Sequence, residues 1–154
     1  MSLLHGTCIA IGIGNNIGPW AVLLRGPSGS GKSDLALRLL GRDDLGARLV
    51  ADDQVEVTRR GDEVWAVAPA QIAGLMEVRG VGLVMVESVS EARLGLVLDL
   101  VSDTGSAVPR MPEKAFENIA GVDLPLYPCA PFEASAPDKI ALLVRSLDED
   151  ILRS

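Results

Sequence analysis

The chain has 154 residues, 48% hydrophobic and 23% charged, which fits a folded domain with a sizeable core and excludes a largely disordered chain. Its net charge of −7 disfavours non-specific binding to nucleic acid, which depends on neutralising phosphates with Lys and Arg. The start, "MSLLHGTCIAIGIG", lacks a basic leader and is too short to cross a bilayer, so neither a signal peptide nor a membrane span is expected and a reducing cytoplasm is the default. Cys8, Cys129 and the single histidine, His5, are too few for a disulfide framework or a zinc site; the cysteines read as small buried hydrophobes.

In chain order, residues 7–13, "TCIAIGI", and 20–25, "WAVLLR", are apolar runs rich in β-branched residues, and "GNNIGP" between them supplies turn chemistry, so the pair predicts a β-hairpin. Gly12 and Gly14 suggest a dinucleotide fingerprint, but Ile17 stands where its third glycine belongs and no helix follows directly. "KSDLALRLLGR" places Leu35, Leu39 and Leu40 at helical spacing and ends near Gly41. "ARLVADDQVEV" is read as a strand whose apolar run stops at Asp52 and Asp53, and "EVWAVAP" as a short strand closed by Pro69. "MEVRGVGLVMVESV" alternates around two glycines, and "LGLVLDLV" is a buried strand. The proline-rich passage 108–137 is expected to hold a helical turn or two near Phe116. A last helix, starting near Ser135 and Pro137, is expected to set Ile140, Leu143, Val144, Leu147 and Ile151 on one face. The sum is a single α/β domain over residues 1–154, a mixed β-sheet flanked by helices and containing a phosphate loop.

That loop is Gly26-Pro27-Ser28-Gly29-Ser30-Gly31-Lys32-Ser33, which fits G-x-x-x-x-G-K-[ST] at every fixed position. The glycines let backbone N–H groups turn inward as an anion-binding nest, and the helix that follows points its positive end at the anion. Lys32 would reach β- and γ-phosphate oxygens and the Ser33 hydroxyl would ligate Mg²⁺. An apolar strand before it and an amphipathic helix after it are the context the motif needs. No N-K-x-D segment is present, so a GTPase is not indicated.

Two further segments carry acids. "LVADD" delivers Asp52 and Asp53 at a strand end, where ligands sit in open α/β sheets; one of the two should face the site as metal holder or proton acceptor. Asp99, inside "LGLVLDLV", is a rival, but it lies mid-strand. "MEVRGVG" sets Glu77 and Arg79 on one face of an extended segment, where an acid and a guanidinium would bind a metal and a phosphoryl group, or form a plain cross-strand salt bridge.

"HGT" at 5–7, "GPSGSGKSDLAL" at 26–37, "RLVADDQVEV" at 48–57 and "GLMEVRGVG" at 74–82 occur in the order and approximate spacing of HPr kinase/phosphorylase, and the chain resembles that family's catalytic domain without an N-terminal regulatory domain. The resemblance spans residues 5 to about 145 and rests most specifically on "EVRGVG". It implies an enzyme that uses ATP and Mg²⁺ to phosphorylate a serine of HPr, or of a paralogous phosphocarrier, in the sugar phosphotransferase system. It also implies a homo-oligomer, although no subunit interface is legible in the chain. By motif, Lys32 binds nucleotide phosphates, Ser33 and Glu77 hold Mg²⁺, Asp52 accepts the serine proton, and Asp53 assists with metal or orientation. His5 matches a functional histidine ahead of the loop, and Arg79 and Arg110 are candidates to neutralise transition-state charge. The family's "GRN"-type run after Arg110 is absent, replaced by "LYPCAPFEASAP", which counts against reverse phosphorolysis. The competing readings are a nucleotide-binding sensor without transfer, and a small-molecule kinase, whose arginine-rich lid has only Arg59-Arg60 to support it.

Overall fold

The computed structural model describes residues 2–13, 18–101 and 108–153, and its centre is three strands without a solvated face. β2 (Thr7–Ile11) is buried at every position, and β3 (Trp20–Arg25) at its four inner ones. They pair antiparallel from Thr7 opposite Leu24 to Ile11 opposite Trp20, as the hairpin reading requires; most of the connecting turn lies outside the described residues. β9 (Glu91–Leu100) runs parallel to β3, ending with Arg25 opposite Asp99. Strands covered on both faces need apolar residues at consecutive positions, which is why these runs do not alternate.

The two faces bury different things. Ile9, Ile11, Val22, Leu24, Leu96 and Leu98 pack under two helices, α1 (Lys32–Leu40) and α2 (Ala136–Arg145), through Leu35, Ala36, Leu39, Ile140 and Val144. Cys8, Ala10, Ala21, Leu23, Leu94 and Val97 face the other way, onto Val55, Val57, Val64 and Ala66. Those valines belong to β5 (Gln54–Arg60) and β6 (Glu63–Val67), strands of the same sheet. The order β1-β5-β6-β9-β3-β2-β4, with β1 spanning Ser2–His5 and β4 spanning Arg48–Ala51, therefore curls over and covers its own second face. A separate two-stranded hairpin, β7 (Leu75–Val78) and β8 (Gly82–Met85), is pinned to the helix-covered core by Met76.

Three expectations need correction. "ARLVADDQVEV" is two strands, not one: β4 pairs with β2 and β5 with β1, and between them Asp53 adopts φ +70° while Gln54 N–H donates to the Asp52 carbonyl at 2.8 Å. Asp is one of the few side-chain-bearing residues that visits this left-handed region, so the acidic pair makes a corner. The helical turns expected near Phe116 are a hairpin, β10 (Ala115–Ile119) and β11 (Val122–Cys129), closed by Ala120 and Gly121, both at positive φ as a tight primed turn demands. β11 continues the sheet parallel to the end of β9. Finally, α2 stops at Arg145; Leu147 still packs on the core, but Ile151 lies beyond the helix. Among the described residues, no helix is long and apolar enough to cross a membrane.

Arg25, the residue immediately before the phosphate loop, ties the strand ends together. Its Nε and Nη2 donate to the Asp99 carboxylate at 2.8 and 3.1 Å, and its Nη1 donates to Glu117 of β10. The hydrogen bond to Asp99 leads the effects that raise the Arg25 pKa further above its usual value. Arg25→Met leaves two carboxylates facing each other without their cation. The expected cost is about 2 kcal/mol, read as a Tm lower by about 4–8 °C in thermal denaturation; an unchanged Tm would show that the cluster anchors nothing.

Candidate active site

The phosphate loop leaves the end of β3 and enters α1 at Lys32. Gly31 caps the helix at φ 100°, a conformation that a side chain resists, and a Cβ there would also come within 2.9 Å of the Phe132 ring. Ser30 N–H donates to the Pro27 carbonyl at 3.0 Å, which closes the loop. Lys32 Nζ donates to the carbonyl of Gly26 and, at 3.0 Å, to that of Pro27, so the ammonium sits folded over the loop it belongs to. The Ser30 hydroxyl is buried inside the loop without a hydrogen-bond partner among the described residues. An unpaired buried hydroxyl is costly, and the oxygen of an anion cradled by the loop would satisfy it.

A cleft of about 470 Å³ opens over the loop, lined by His5, Ser28, Gly29, Gly31, Lys32, Ser33, Asp34, Asp53, Arg79 and Phe132. The fold gathers these from four places. His5 and Asp53 come from the corner where β1 meets β2 and β4 meets β5; His5 Nδ1 lies 3.5 Å from Asp53 Oδ1, both side chains well exposed. Gly6 makes that corner possible, because a Cβ would stand 2.7 Å from the Leu24 carbonyl oxygen, and its N–H donates to the Asp53 carbonyl at 3.0 Å. Arg79 arrives from the turn between β7 and β8.

Asp52 is placed differently from Asp53. One carboxylate oxygen accepts from the Thr7 hydroxyl at 2.9 Å and the other from the Glu77 N–H at 3.2 Å. It does not line the cleft but joins three segments, the "HGT" strand, the acidic corner and the "EVRGVG" hairpin. Glu77 lies outside the lining as well. β7 ends at Val78 and Arg79 enters the turn, so the two do not share one extended face as expected. Arg110 is exposed on a bend and is not part of the cleft. Gly26, Pro27 and Ser30 form the loop's frame rather than its lining.

Asp99 is paired with Arg25 and does not line the cleft. Burial pushes the Cys8 thiol far up and the Cys129 thiol up to about 11, which leaves neither cysteine as a nucleophile. Two residues near the site escaped sequence reasoning. Thr7 is 1% exposed and donates its hydroxyl to Asp52; its only signal was its place at the end of the "HGT" segment. Phe132 ends the apolar stretch Leu124–Phe132, which reads in the sequence as either a subunit contact or core packing and not as part of the site.

Among the described residues, no group of three or more His, Cys, Asp or Glu side chains is arranged to hold a metal ion. Mg²⁺ with a nucleotide needs no such cage, since phosphates and water supply most of its ligands and the protein one or two oxygens. The Ser33 hydroxyl and the Asp53 carboxylate line the same cleft and fit that donor set.

The family model for the HPr serine kinase C-terminal domain matches residues 2–127. The HPr kinase/phosphorylase of an Exiguobacterium species is 36% identical over 121 residues, covering 72% of this chain and 36% of the relative. That of Caldanaerobacter subterraneus is 41% identical over 103 residues, 64% of this chain and 30% of the relative. The chain thus matches about a third of the length of these curated relatives. The solved Hpr(Ser) kinase/phosphatase from Coxiella burnetii superposes with a TM-score of 0.75, at 24% identity over 95% of both chains, which supports the fold. With the family model covering most of the chain, the protein belongs to the HPr serine kinase C-terminal domain family.

Proposed function

We propose that the domain transfers the γ-phosphoryl group of ATP to a serine hydroxyl of HPr or a paralogous phosphocarrier. The observation that carries this reading is the cleft itself, where a phosphate loop with Lys32 meets Arg79 and the acidic corner of a family whose curated members are named HPr kinase/phosphorylase. In this reading Lys32 leaves the Gly26 and Pro27 carbonyls for the β- and γ-phosphate oxygens. The loop N–H groups and the N-terminus of α1 hold the remaining phosphate charge. Ser33 and a corner carboxylate would hold Mg²⁺, which would supply charge neutralisation at the transferring group; Glu77 is the family-derived alternative for that carboxylate. The serine oxygen attacks γ-phosphorus, the bond to the β-phosphate bridging oxygen breaks, ADP departs, and the serine proton passes to Asp52. Arg79 faces the developing charge.

Asp52 suits a base because Thr7 and Glu77 N–H fix its orientation while a carboxylate keeps further lone pairs free. A second assignment deserves a parallel test because Asp53, not Asp52, lines the cleft and sits in a sparsely populated backbone conformation of the kind concentrated at functional sites. There Asp53 takes the proton and Asp52 holds the corner.

The test is steady-state transfer from labelled ATP to purified HPr and its paralogue. Asp52→Asn is expected to lower kcat by about 10²–10⁴-fold with ATP affinity nearly unchanged, and Asp53→Asn less. The reverse ranking assigns the base to Asp53. Tight ATP binding with no labelled acceptor would instead mark a nucleotide sensor. Thr7→Val is expected to lower kcat about tenfold or more with KM for ATP unchanged, and Thr7→Ser to recover most of it; equal kcat in all three proteins would make the Thr7 bond structural only.

A further inference from the structure

The loop after β11 sets one aromatic ring at the mouth of the cleft. Phe132 is 63% exposed, yet its backbone is held on both sides. Arg38 of α1 donates to the carbonyls of Pro131 and Glu133, the two neighbours of Phe132. Asp34, itself in the cleft, braces Arg38 with an Nε–Oδ2 hydrogen bond of 3.0 Å. The helix that carries the phosphate-binding lysine thus also fixes the segment that carries the ring. The ring and Pro131 lie against Gly31, since a Cβ there would meet Phe132 Cζ at 2.9 Å and Pro131 Cγ at 3.1 Å.

We propose that Phe132 is the stacking platform for the base of the nucleotide phosphate donor. This rests on the nucleotide reading above and adds to it the part of the site that holds the base. A phosphate nest recognises only the anionic end of a nucleotide, and the rest of the molecule must lie on a neighbouring surface. The cleft volume is within the range of about 300–1,000 Å³ typical of small-molecule sites. A pre-positioned ring gives the base a face at little ordering cost, because the Arg38 bonds have already fixed the loop. Base–aromatic stacking is commonly strong enough that removing the ring weakens binding by about tenfold or more.

The experiment is calorimetric titration of the wild type, Phe132→Ala and Phe132→Tyr with Mg²⁺–ADP and, separately, with Mg²⁺–pyrophosphate, which has the phosphates but no base. The expected result is ADP binding weakened about tenfold in Phe132→Ala, kept in Phe132→Tyr, and pyrophosphate binding unchanged in both. Equal weakening of ADP and pyrophosphate in Phe132→Ala would overturn the proposal, because the ring would then only shape the loop. Unchanged ADP affinity would overturn it too, including the case where the KM for the acceptor protein rises and the ring proves to be an acceptor contact. A wild type that binds neither ligand would sink the nucleotide reading itself, which the other outcomes leave standing. Near-ultraviolet circular dichroism and Tm confirm that the variants fold.

Discussion

The site depends on one corner. At Gly6 the chain passes from β1 to β2, and at Asp52-Asp53 it passes from β4 to β5; the two bends lie against each other, joined by Gly6 N–H to the Asp53 carbonyl and by the Thr7 hydroxyl to the Asp52 carboxylate. On one side of the bend the strands pair as β2 and β4 in the central sheet, and on the other as β1 and β5 in the part that curls over. The same bend that lets the sheet cover its own second face therefore sets two carboxylates and a histidine at the edge of that sheet, beside the phosphate loop. Straightening it would cost both the valine-lined second core and the acidic side of the cleft.

The phosphate loop is held from the other direction by burial. β3 has neighbours on both edges and apolar layers on both faces, so the point where it ends is tightly defined. Arg25 locks that end to β9 and β10 with charged hydrogen bonds, and α1 buries Leu35, Ala36 and Leu39 directly after the loop. A loop pinned at both ends keeps its shape in the absence of an anion, which is the preorganisation that the proposed phosphoryl transfer would draw on. Asp52 extends the same logic to the third segment: with the Glu77 N–H on its second oxygen, the "EVRGVG" hairpin is registered to the corner and carries Arg79 over the cleft.

What could be read in advance follows the physics of each element. The place of the Gly26–Ser33 motif between β3 and the start of α1 was legible because its residues sit at fixed spacings, and β2, β3 and β9 because burial on both faces writes uninterrupted apolar runs. The break at Asp53 was not, since hydrophobic periodicity carries no sign of a single left-handed residue. The β10–β11 hairpin was hidden by Pro125 and Pro128, which cannot donate to a ladder, and by the largely exposed face of β10. The acids, Lys32, Arg79 and His5 were found as residue types, but their division between cleft and scaffold depends on where strands end, as the loss of Glu77 and Arg110 from the lining shows. Thr7 and Phe132 are placed by contacts with residues 45 and about a hundred positions away, beyond the reach of any local pattern.

In the proposed reaction the corner holds a carboxylate in line with the Gly26–Ser33 loop. The most direct measurement is a crystal structure of the domain with Mg²⁺–ADP and aluminium fluoride, which imitates the transferring phosphoryl group. The expected result is the fluoride group in the Gly26–Ser33 nest, Lys32 moved onto it, and an oxygen of Asp52 or Asp53 within about 2.6–3.2 Å of the apical position where the serine hydroxyl would stand. An apical position open to bulk solvent, with both carboxylates still turned to the Thr7 and His5 side of the corner, would contradict it.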